Sequence, residues 1–149
     1  MKNTKQSVII LVLLTGYFFF LSSQKMIFGQ TTQWVAPKEA DIMKNPVADN
    51  VAATAEGKKL YVLNCIVCHG DKGKGDGIAA TGLNPKPADH TSAKVQMQTD
   101  GAIFWKMTTG KPPMASYKDI LTETQRWQLV NYIRTLKAPD KTKSITAKK

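Results

Sequence analysis

The order of apolar and polar positions divides the chain into an apolar N-terminal stretch, a polar segment and a helical region. Val8 to Leu21 is an almost unbroken apolar run, whereas residues 30 to 50 show no sustained period. From Thr54, a suitable N-cap residue, the apolar positions recur with a helical period. The sequence has no convincing alternation of apolar and polar residues, the usual sign of strands. The pattern predicts one all-α domain over residues 51 to 137, preceded by a linker or strap at 30 to 50.

Three helices are predicted within this domain. The first runs from Thr54 towards the cysteines, and a later one covers residues 100 to 108. The last begins at Thr122, because Thr122 and Gln125 have the spacing of a capping box, and it ends before Pro139. Residues 91 to 98 are compatible with a further short helix. The apolar positions of the helices predict the lining of a pocket by Leu60, Ile103, Phe104, Leu129, Ile133 and Leu136.

Residues 1 to 29 have the features of an export signal or of a membrane anchor. Lys2 and Lys5 precede the apolar run, whose fourteen residues would rise about 21 Å as a helix, less than the roughly 30 Å of a hydrocarbon core. This length favours a signal peptide, but neither candidate cleavage site has a small residue at position −3, so an uncleaved anchor is the alternative. Both predict an exported, periplasmic protein, either soluble or attached to the membrane by its N-terminus.

The net charge of +10 is only partly a property of the predicted domain. Residues 1 to 29 contribute +3, residues 30 to 50 contribute −1, residues 51 to 137 contribute +5, and the tail at 138 to 149 contributes +3. The tail is polar and basic and is predicted to be disordered. Because the sequence has no arginine-rich run, nucleic acid is not a predicted partner. Exposed lysines either form a solvated surface or steer the protein towards an acidic partner.

The segment Cys65-Ile66-Val67-Cys68-His69 carries the most specific chemistry in the sequence. Two thiols three positions apart on a helical turn can reach the two vinyl groups of a haem, and the adjacent histidine can bind the iron. A zinc site would need further ligands, and a redox-active CxxC would follow a strand. A plain disulfide is the third alternative. The motif predicts one covalent haem c, attached through Cys65 and Cys68 and ligated by His69.

With these motifs the chain resembles the class I c-type cytochromes, the family of small monohaem cytochromes c. The resemblance covers residues 54 to 136 and implies the all-α cytochrome c fold, with three to five short helices around one covalently bound haem. The features that carry it are a first helix with Gly57 and Tyr61, the CIVCH segment, the proline segment at 83 to 87, the Pro112-Pro113-Met114 loop, and a closing helix with Trp127 and Tyr132.

The resemblance also implies how the iron is held. Met114 is the expected sixth ligand, because a loop stiffened by two prolines suits a weak thioether ligand. A proline carbonyl of the segment at 83 to 87 is expected to accept a hydrogen bond from the haem-binding histidine, and Pro85 is the predicted acceptor with Pro87 as the alternative. The other candidates for the sixth ligand are His90, Met97 and Met107.

These features predict an electron carrier that exchanges single electrons with a redox donor and a redox acceptor of a respiratory chain. Two filled axial positions leave no place for a small-molecule substrate, and no constellation of carboxylates and histidines suggests acid–base catalysis. The alternatives are a haem enzyme or gas sensor with a displaceable ligand, and a fixed electron-transfer subunit of a membrane respiratory complex.

Mass spectrometry of the mature protein tests the cofactor and the N-terminal segment together. We expect the mass of the chain plus one haem, retained under denaturing conditions because thioether bonds are covalent. A chain that starts near residue 30 indicates a cleaved signal, whereas retention of residues 1 to 29 indicates an anchor. A mature chain without added haem contradicts the prediction for Cys65 and Cys68.

Overall fold

A computed structural model of the chain describes residues 34 to 139. The predictions for residues 1 to 29 and for most of the basic tail concern segments outside the described residues. The compact unit described below begins at Val35. Between residues 34 and 139 no helix is both long and apolar enough to cross a membrane.

The described residues form α-helices and one 3-10 turn, without β-strands, which confirms the predicted all-α domain. The elements are α1 (Lys38–Asp41), α2 (Val51–Asn64), α3 (Ile66–His69), the 3-10 turn Ala80–Gly82, α4 (Ala93–Gln96), α5 (Asp100–Thr109) and α6 (Glu123–Thr135). The long helices α2, α5 and α6 correspond to the three helices expected from the sequence.

Side-chain caps fix where the long helices begin. The Thr122 hydroxyl and the Gln125 side chain form the expected capping box at the start of α6. Helix α2 begins earlier than predicted, since the Asn50 side chain accepts a hydrogen bond from the Ala53 N–H at 2.9 Å. The prediction of Thr54 as N-cap is therefore wrong. Its hydroxyl lies inside the helix and donates to the Asn50 carbonyl oxygen at 2.9 Å.

The crossing of α2 and α6 is the main packing contact of the domain. Gly57 lies at the crossing point, where a Cβ atom would stand 1.9 Å from the Gln128 carbonyl oxygen. This close approach of the two backbones buries Tyr61, Leu129 and Val130 completely. A larger residue than glycine would force the helices apart.

Helix α5 completes the core by packing against α6. The rings of Phe104 and Trp127 stack with centroids 3.9 Å apart, and the Arg126 guanidinium lies over Phe104 at 5.2 Å. Of the predicted pocket-lining residues, four are buried and two are half-buried against the core. The buried four are Ile103, Phe104, Leu129 and Ile133, and the half-buried two are Leu60 and Leu136.

The segment before α2 lies on the helices rather than extending away from them. Gly101 at the start of α5 leaves room for the Ala40 carbonyl oxygen, because a Cβ atom at position 101 would lie 1.9 Å from this oxygen. The Asn45 amide donates to Asn131 at 2.7 Å, and Asn131 donates to the Val47 carbonyl at 2.6 Å. Residues 37 to 50 are therefore attached to α5 and α6 by packing and by a polar network.

The substitution Gly57→Ala tests the helix crossing. Alanine favours a helix by about 0.5–1 kcal/mol over glycine, but the new methyl group would meet the backbone of α6. Overpacking of this kind costs about 1–3 kcal/mol or more, so we expect a lower free energy of unfolding in guanidinium titrations of the haem-loaded protein.

Gly82→Ala is the matched control for this substitution. No atom lies within 4 Å of a Cβ atom built on Gly82. We expect little change in its stability. Equal stability of the wild type and Gly57→Ala would contradict the close crossing.

Candidate functional site

The two cysteines lie where α2 passes into α3. Cys65 ends α2, with its N–H donating to the Tyr61 carbonyl at 2.8 Å, and it also precedes α3. The N–H groups of Cys68 and His69 both donate to the Cys65 carbonyl, at 3.2 and 2.8 Å. One helical turn thus carries both thiols and the histidine. The two thiols are half-buried and are not joined as a disulfide.

The two thiols are not part of a larger cluster of metal ligands. Within residues 34 to 139, no group of three or more histidine, cysteine and acidic side chains is placed to hold a metal ion. A structural zinc site requires four protein ligands. Burial, with a smaller contribution from Cys68, raises the pKa of the Cys65 thiol to about 12. The two half-buried thiols on one helical turn fit thioether attachment to a haem.

The His69 imidazole is buried and oriented by one hydrogen bond. Its side chain is 9% exposed, and Nδ1 lies 2.9 Å from the Ala88 carbonyl oxygen. Because a carbonyl only accepts, Nδ1 carries the proton and Nε2 keeps its lone pair. Burial lowers the pKa of His69, with the Ala88 hydrogen bond acting in the opposite direction. The ring is therefore a neutral imidazole with Nε2 available for iron.

The hydrogen bond assigned to Pro85 by sequence analysis is made by Ala88. Pro87, the alternative acceptor, turns its carbonyl towards Gly75, where a Cβ atom would lie 2.4 Å from the Pro87 oxygen. The next carbonyl along the chain, that of Ala88, faces His69. The assignment to Pro85 is wrong because the extended segment approaches His69 only beyond the prolines. A backbone acceptor leaves no residue-type signal, so spacing could not identify Ala88.

The loop that follows His69 fits closely around α3. A Cβ atom on Gly77 would lie 2.4 Å from the carbonyl oxygens of Ile66 and Val67. Three further glycines of the loop have the positive φ angles that favour glycine, namely Gly70 at 77°, Gly73 at 72° and Gly75 at 74°. The glycines allow the loop to pack closely against α3, and they leave space for residues 87 to 90, of which Ala88 and His90 contact His69.

The described contacts separate the candidates for the sixth ligand. His90 stacks on His69, with ring centroids 4.0 Å apart, so it lies beside the haem-binding histidine rather than across the iron from it. Met107 is buried in the core on α5, and Met97 is 81% exposed. Met114 is half-buried against the core, in a loop. Met114 is neither buried in the core nor largely exposed to solvent, and it is therefore the remaining candidate for the sixth ligand.

The Met114 loop is held by hydrogen bonds at several points. Lys111 and Met114 exchange two backbone hydrogen bonds of 3.0 and 2.9 Å, which close the turn around the two prolines. Ser116 Oγ donates to the Thr108 carbonyl at 2.7 Å. The Tyr117 hydroxyl donates at 2.8 Å to the carbonyl of Asn64, the residue before Cys65. The loop is thus tied directly to the end of α2 that carries the first thiol.

Arg126 of α6 secures the far end of this loop. The side chain is 7% exposed, and its Nη1 donates to the carbonyl oxygens of Tyr117, Lys118 and Leu121. A guanidinium offers several donors in a fixed plane, which suits a cluster of carbonyl groups. Sequence analysis missed this role, since an arginine near a helix start gives no sign of burial.

The family of the chain follows from a comparison with known protein families. Residues 54 to 137 match the family model of Cytochrome c. The chain belongs to the cytochrome c family. As such it is an all-α cytochrome with covalently bound haem c, and it transfers electrons.

Two solved structures resemble this cytochrome. The first is the Kuenenia stuttgartiensis reducing HAO-like protein complex Kustc0457/Kustc0458, with 29% identity, a TM-score of 0.57, and coverage of 64% of this chain and 50% of that chain. The second is the KustC0563 c-type cytochrome, with 30% identity, a TM-score of 0.49, and coverage of 55% of this chain and 98% of that chain. The cytochrome therefore spans half the length of the first relative. A search of curated proteins gave no match.

Tyr117→Phe tests how the Met114 loop of the cytochrome is attached. The change removes the hydroxyl that donates to Asn64 and keeps the ring. Loss of such a hydrogen bond costs about 0.5–1.5 kcal/mol, so we expect a reduction of this size in the free energy of unfolding of the haem-loaded cytochrome in guanidinium.

Tyr132→Phe serves as the control, because the Tyr132 hydroxyl makes no hydrogen bond within the described part of the chain. We expect its free energy of unfolding to equal that of the wild type. Equal losses in both variants would contradict a specific role for the Tyr117 bond.

Proposed function

We propose that this cytochrome is an electron carrier in which His69 and Met114 bind the haem iron from opposite sides. Cys65 and Cys68 attach the haem, and the haem supplies a one-electron couple between ferrous and ferric iron. The observation that carries the proposal is the orientation of His69, whose Nδ1 donates to the Ala88 carbonyl oxygen at 2.9 Å, which leaves the lone pair of Nε2 free to bind iron.

Met114 supplies the second ligand from a loop of restricted motion. The turn is closed by the Lys111 hydrogen bonds, and the following residues are attached through Tyr117 and Arg126. A loop fixed at both ends reduces the entropy lost when a weak thioether binds iron. A thioether ligand and an apolar pocket both favour the reduced iron, which suits a carrier that feeds a terminal acceptor.

The residues around the site provide no evident acid–base catalyst. The chain has two histidines, and His69 is committed to the iron. Burial, followed by the neighbouring His69, lowers the pKa of His90 to about 3, so His90 is neutral and a poor base near neutral pH. An electron carrier therefore accounts for the site better than a haem enzyme does.

The partners are proposed to be redox proteins, a donor and an acceptor. The charges beside the site give no clear preference for an acidic partner, because the exposed Lys72 and Lys74 are balanced by Asp71 and Asp76 in the same loop. Lys86, a further exposed lysine, is engaged with the carbonyl oxygens of Ala80 and Thr81 at 2.8 and 2.7 Å.

A second candidate is a fixed subunit of a larger redox assembly. It is favoured by the similarity to a chain of the reducing HAO-like complex, at 29% identity and a TM-score of 0.57. Purification of the haem-loaded protein from its native membrane or soluble fraction distinguishes the two, since a carrier elutes alone and a subunit elutes with a larger complex.

The proposed location is outside the cytoplasm, in the periplasm, with residues 1 to 29 as a cleaved signal or as an anchor. The proposal rests on the basic start and the apolar run of the sequence. Covalent haem attachment through cysteines is compatible with this location.

Met114→Ala tests the proposed ligand set. In the ferric wild type we expect the weak red absorption band of iron–sulfur ligation, and we expect this band to be absent from Met114→Ala. Met97→Ala is the matched control, because Met97 is 81% exposed, and it should keep the band. A wild type without the band, or a band that survives in Met114→Ala, contradicts the assignment of Met114.

A further inference from the structure

His90 lies against the face of the haem-binding histidine. The rings of His69 and His90 have centroids 4.0 Å apart and planes inclined by only 18°, a stacked arrangement. His90 also follows Ala88 by two residues, so one short segment supplies both the hydrogen bond to His69 Nδ1 and the ring on its face. The hydrogen bond fixes one edge of the His69 ring, and the stack restricts its rotation.

His90 is itself held firmly from several directions. The Tyr61 hydroxyl lies 3.2 Å from His90 Nδ1, and Tyr61 is completely buried on α2. The His90 N–H donates to the Gly73 carbonyl at 2.6 Å. Its own carbonyl accepts from the Gln96 amide at 2.6 Å, and the same amide donates to Ile133 of α6 at 2.8 Å. The ring of His90 is thus connected to α2. Its backbone is connected to the glycine loop, residues 70 to 77, and through Gln96 to α6.

The glycine loop leaves the space that this stack requires. A Cβ atom on Gly73 would lie 3.1 Å from His90 Cβ and 3.3 Å from the Tyr61 hydroxyl. Gly73 also has a φ of 72°, which a larger residue rarely adopts. A glycine with a positive φ angle therefore lies next to the contact between Tyr61 and His90.

The position of His90 also limits the access of water to His69. His69 is only 9% exposed, and the His90 ring covers one of its faces at a centroid distance of 4.0 Å. Removal of the His90 ring would therefore open this face of the His69 imidazole to solvent.

We propose that His90 is a positioning residue for electron transfer: stacked on His69 and anchored by Tyr61, it fixes the plane of the axial imidazole and shields it from water. The proposal rests on the assignment of His69 as an iron ligand. It does not depend on which residue is the sixth ligand. The orientation of an axial imidazole determines how unpaired spin is distributed over the haem, and shielding from water favours the reduced iron.

Paramagnetic proton NMR of the ferric holo-cytochrome measures the orientation directly. The spread of the four haem-methyl shifts depends on the plane of the axial imidazole. We expect a changed order or spread of these shifts in His90→Ala, and a pattern close to the wild type in His90→Phe, which keeps an aromatic ring on His69. An unchanged pattern in His90→Ala, or a pattern in His90→Phe equal to that of His90→Ala, overturns the proposal.

The reduction potential provides a second, independent measurement. Loss of a residue that supports a metal-bound histidine changes metal affinity or activity by about 10- to 100-fold, and we expect an effect at the lower end, with the equilibrium constant for reduction falling up to about 10-fold in His90→Ala. One such tenfold change corresponds to about 59 mV for one electron. His90→Phe should restore most of the loss. An unchanged potential in His90→Ala contradicts the shielding.

Tyr61→Phe keeps the proposal testable if His90→Ala does not retain haem. It removes the hydroxyl that holds His90 at 3.2 Å and that also donates to the Gly70 carbonyl oxygen at 3.4 Å, and we expect a smaller change in the haem-methyl shifts in the same direction. Tyr132→Phe alters the neighbouring ring, 5.1 Å from Tyr61, and should leave the shifts unchanged. Equal spectra for Tyr61→Phe and the wild type overturn the anchoring role.

The same spectra separate this proposal from the proposed function. A strongly shifted methionine methyl resonance in the wild type indicates an axial methionine. Its absence would contradict Met114 as the ligand and would leave the test of His90 intact. Haem-methyl shifts that do not respond to His90 would contradict the positioning role even where the methionine resonance is present.

Discussion

The hydrogen bond from His69 Nδ1 to the Ala88 carbonyl oxygen is the contact on which the site depends. At 2.9 Å it places the proton on Nδ1 and leaves the lone pair of Nε2 for iron. Ala88 belongs to an irregular segment, and its carbonyl reaches His69 because this segment can approach the loop that follows the CxxCH motif. Gly73 accepts the His90 N–H at 2.6 Å, and Gly75 has no Cβ atom to displace Pro87. The glycine loop therefore helps to hold the Ala88 carbonyl oxygen against His69, and in this way it determines the orientation of the proposed iron ligand.

The crossing helices α2 and α6 connect the turn that carries His69 to the loop that carries Met114. Helix α2 ends at the residues that carry the first thiol, and the Asn64 carbonyl there receives the Tyr117 hydroxyl of the methionine loop. Helix α6 holds the same loop through Arg126. Gly57 fixes how closely the two helices approach, and the Met114 loop is attached to both helices through Tyr117 and Arg126. A small domain with a limited core can in this way hold both ligands in a defined arrangement.

The sequence predicted the features that depend on residue type and spacing. Helical periodicity and the capping box identified α5 and α6, and the CxxCH motif identified the haem c that the cytochrome c family implies. It did not predict features that depend on the path of the backbone. Ala88 was missed because any residue offers a carbonyl, and the role of Arg126 was missed because its burial results from the loop that folds over it. His90 was considered as an iron ligand, and only the stacking distance showed that it lies beside His69. Asn50 replaced Thr54 as the N-cap because both residue types can cap a helix.

The central claim is that side chains of this chain fill both axial positions of the haem iron, which makes the protein an electron carrier. Addition of carbon monoxide to the ferrous holo-cytochrome at neutral pH tests it most directly, because carbon monoxide binds ferrous haem wherever an axial position is open. The account predicts an absorption spectrum that does not change on addition of the gas. Formation of a carbon monoxide adduct in the wild-type protein would contradict the account and would indicate a haem with a displaceable ligand.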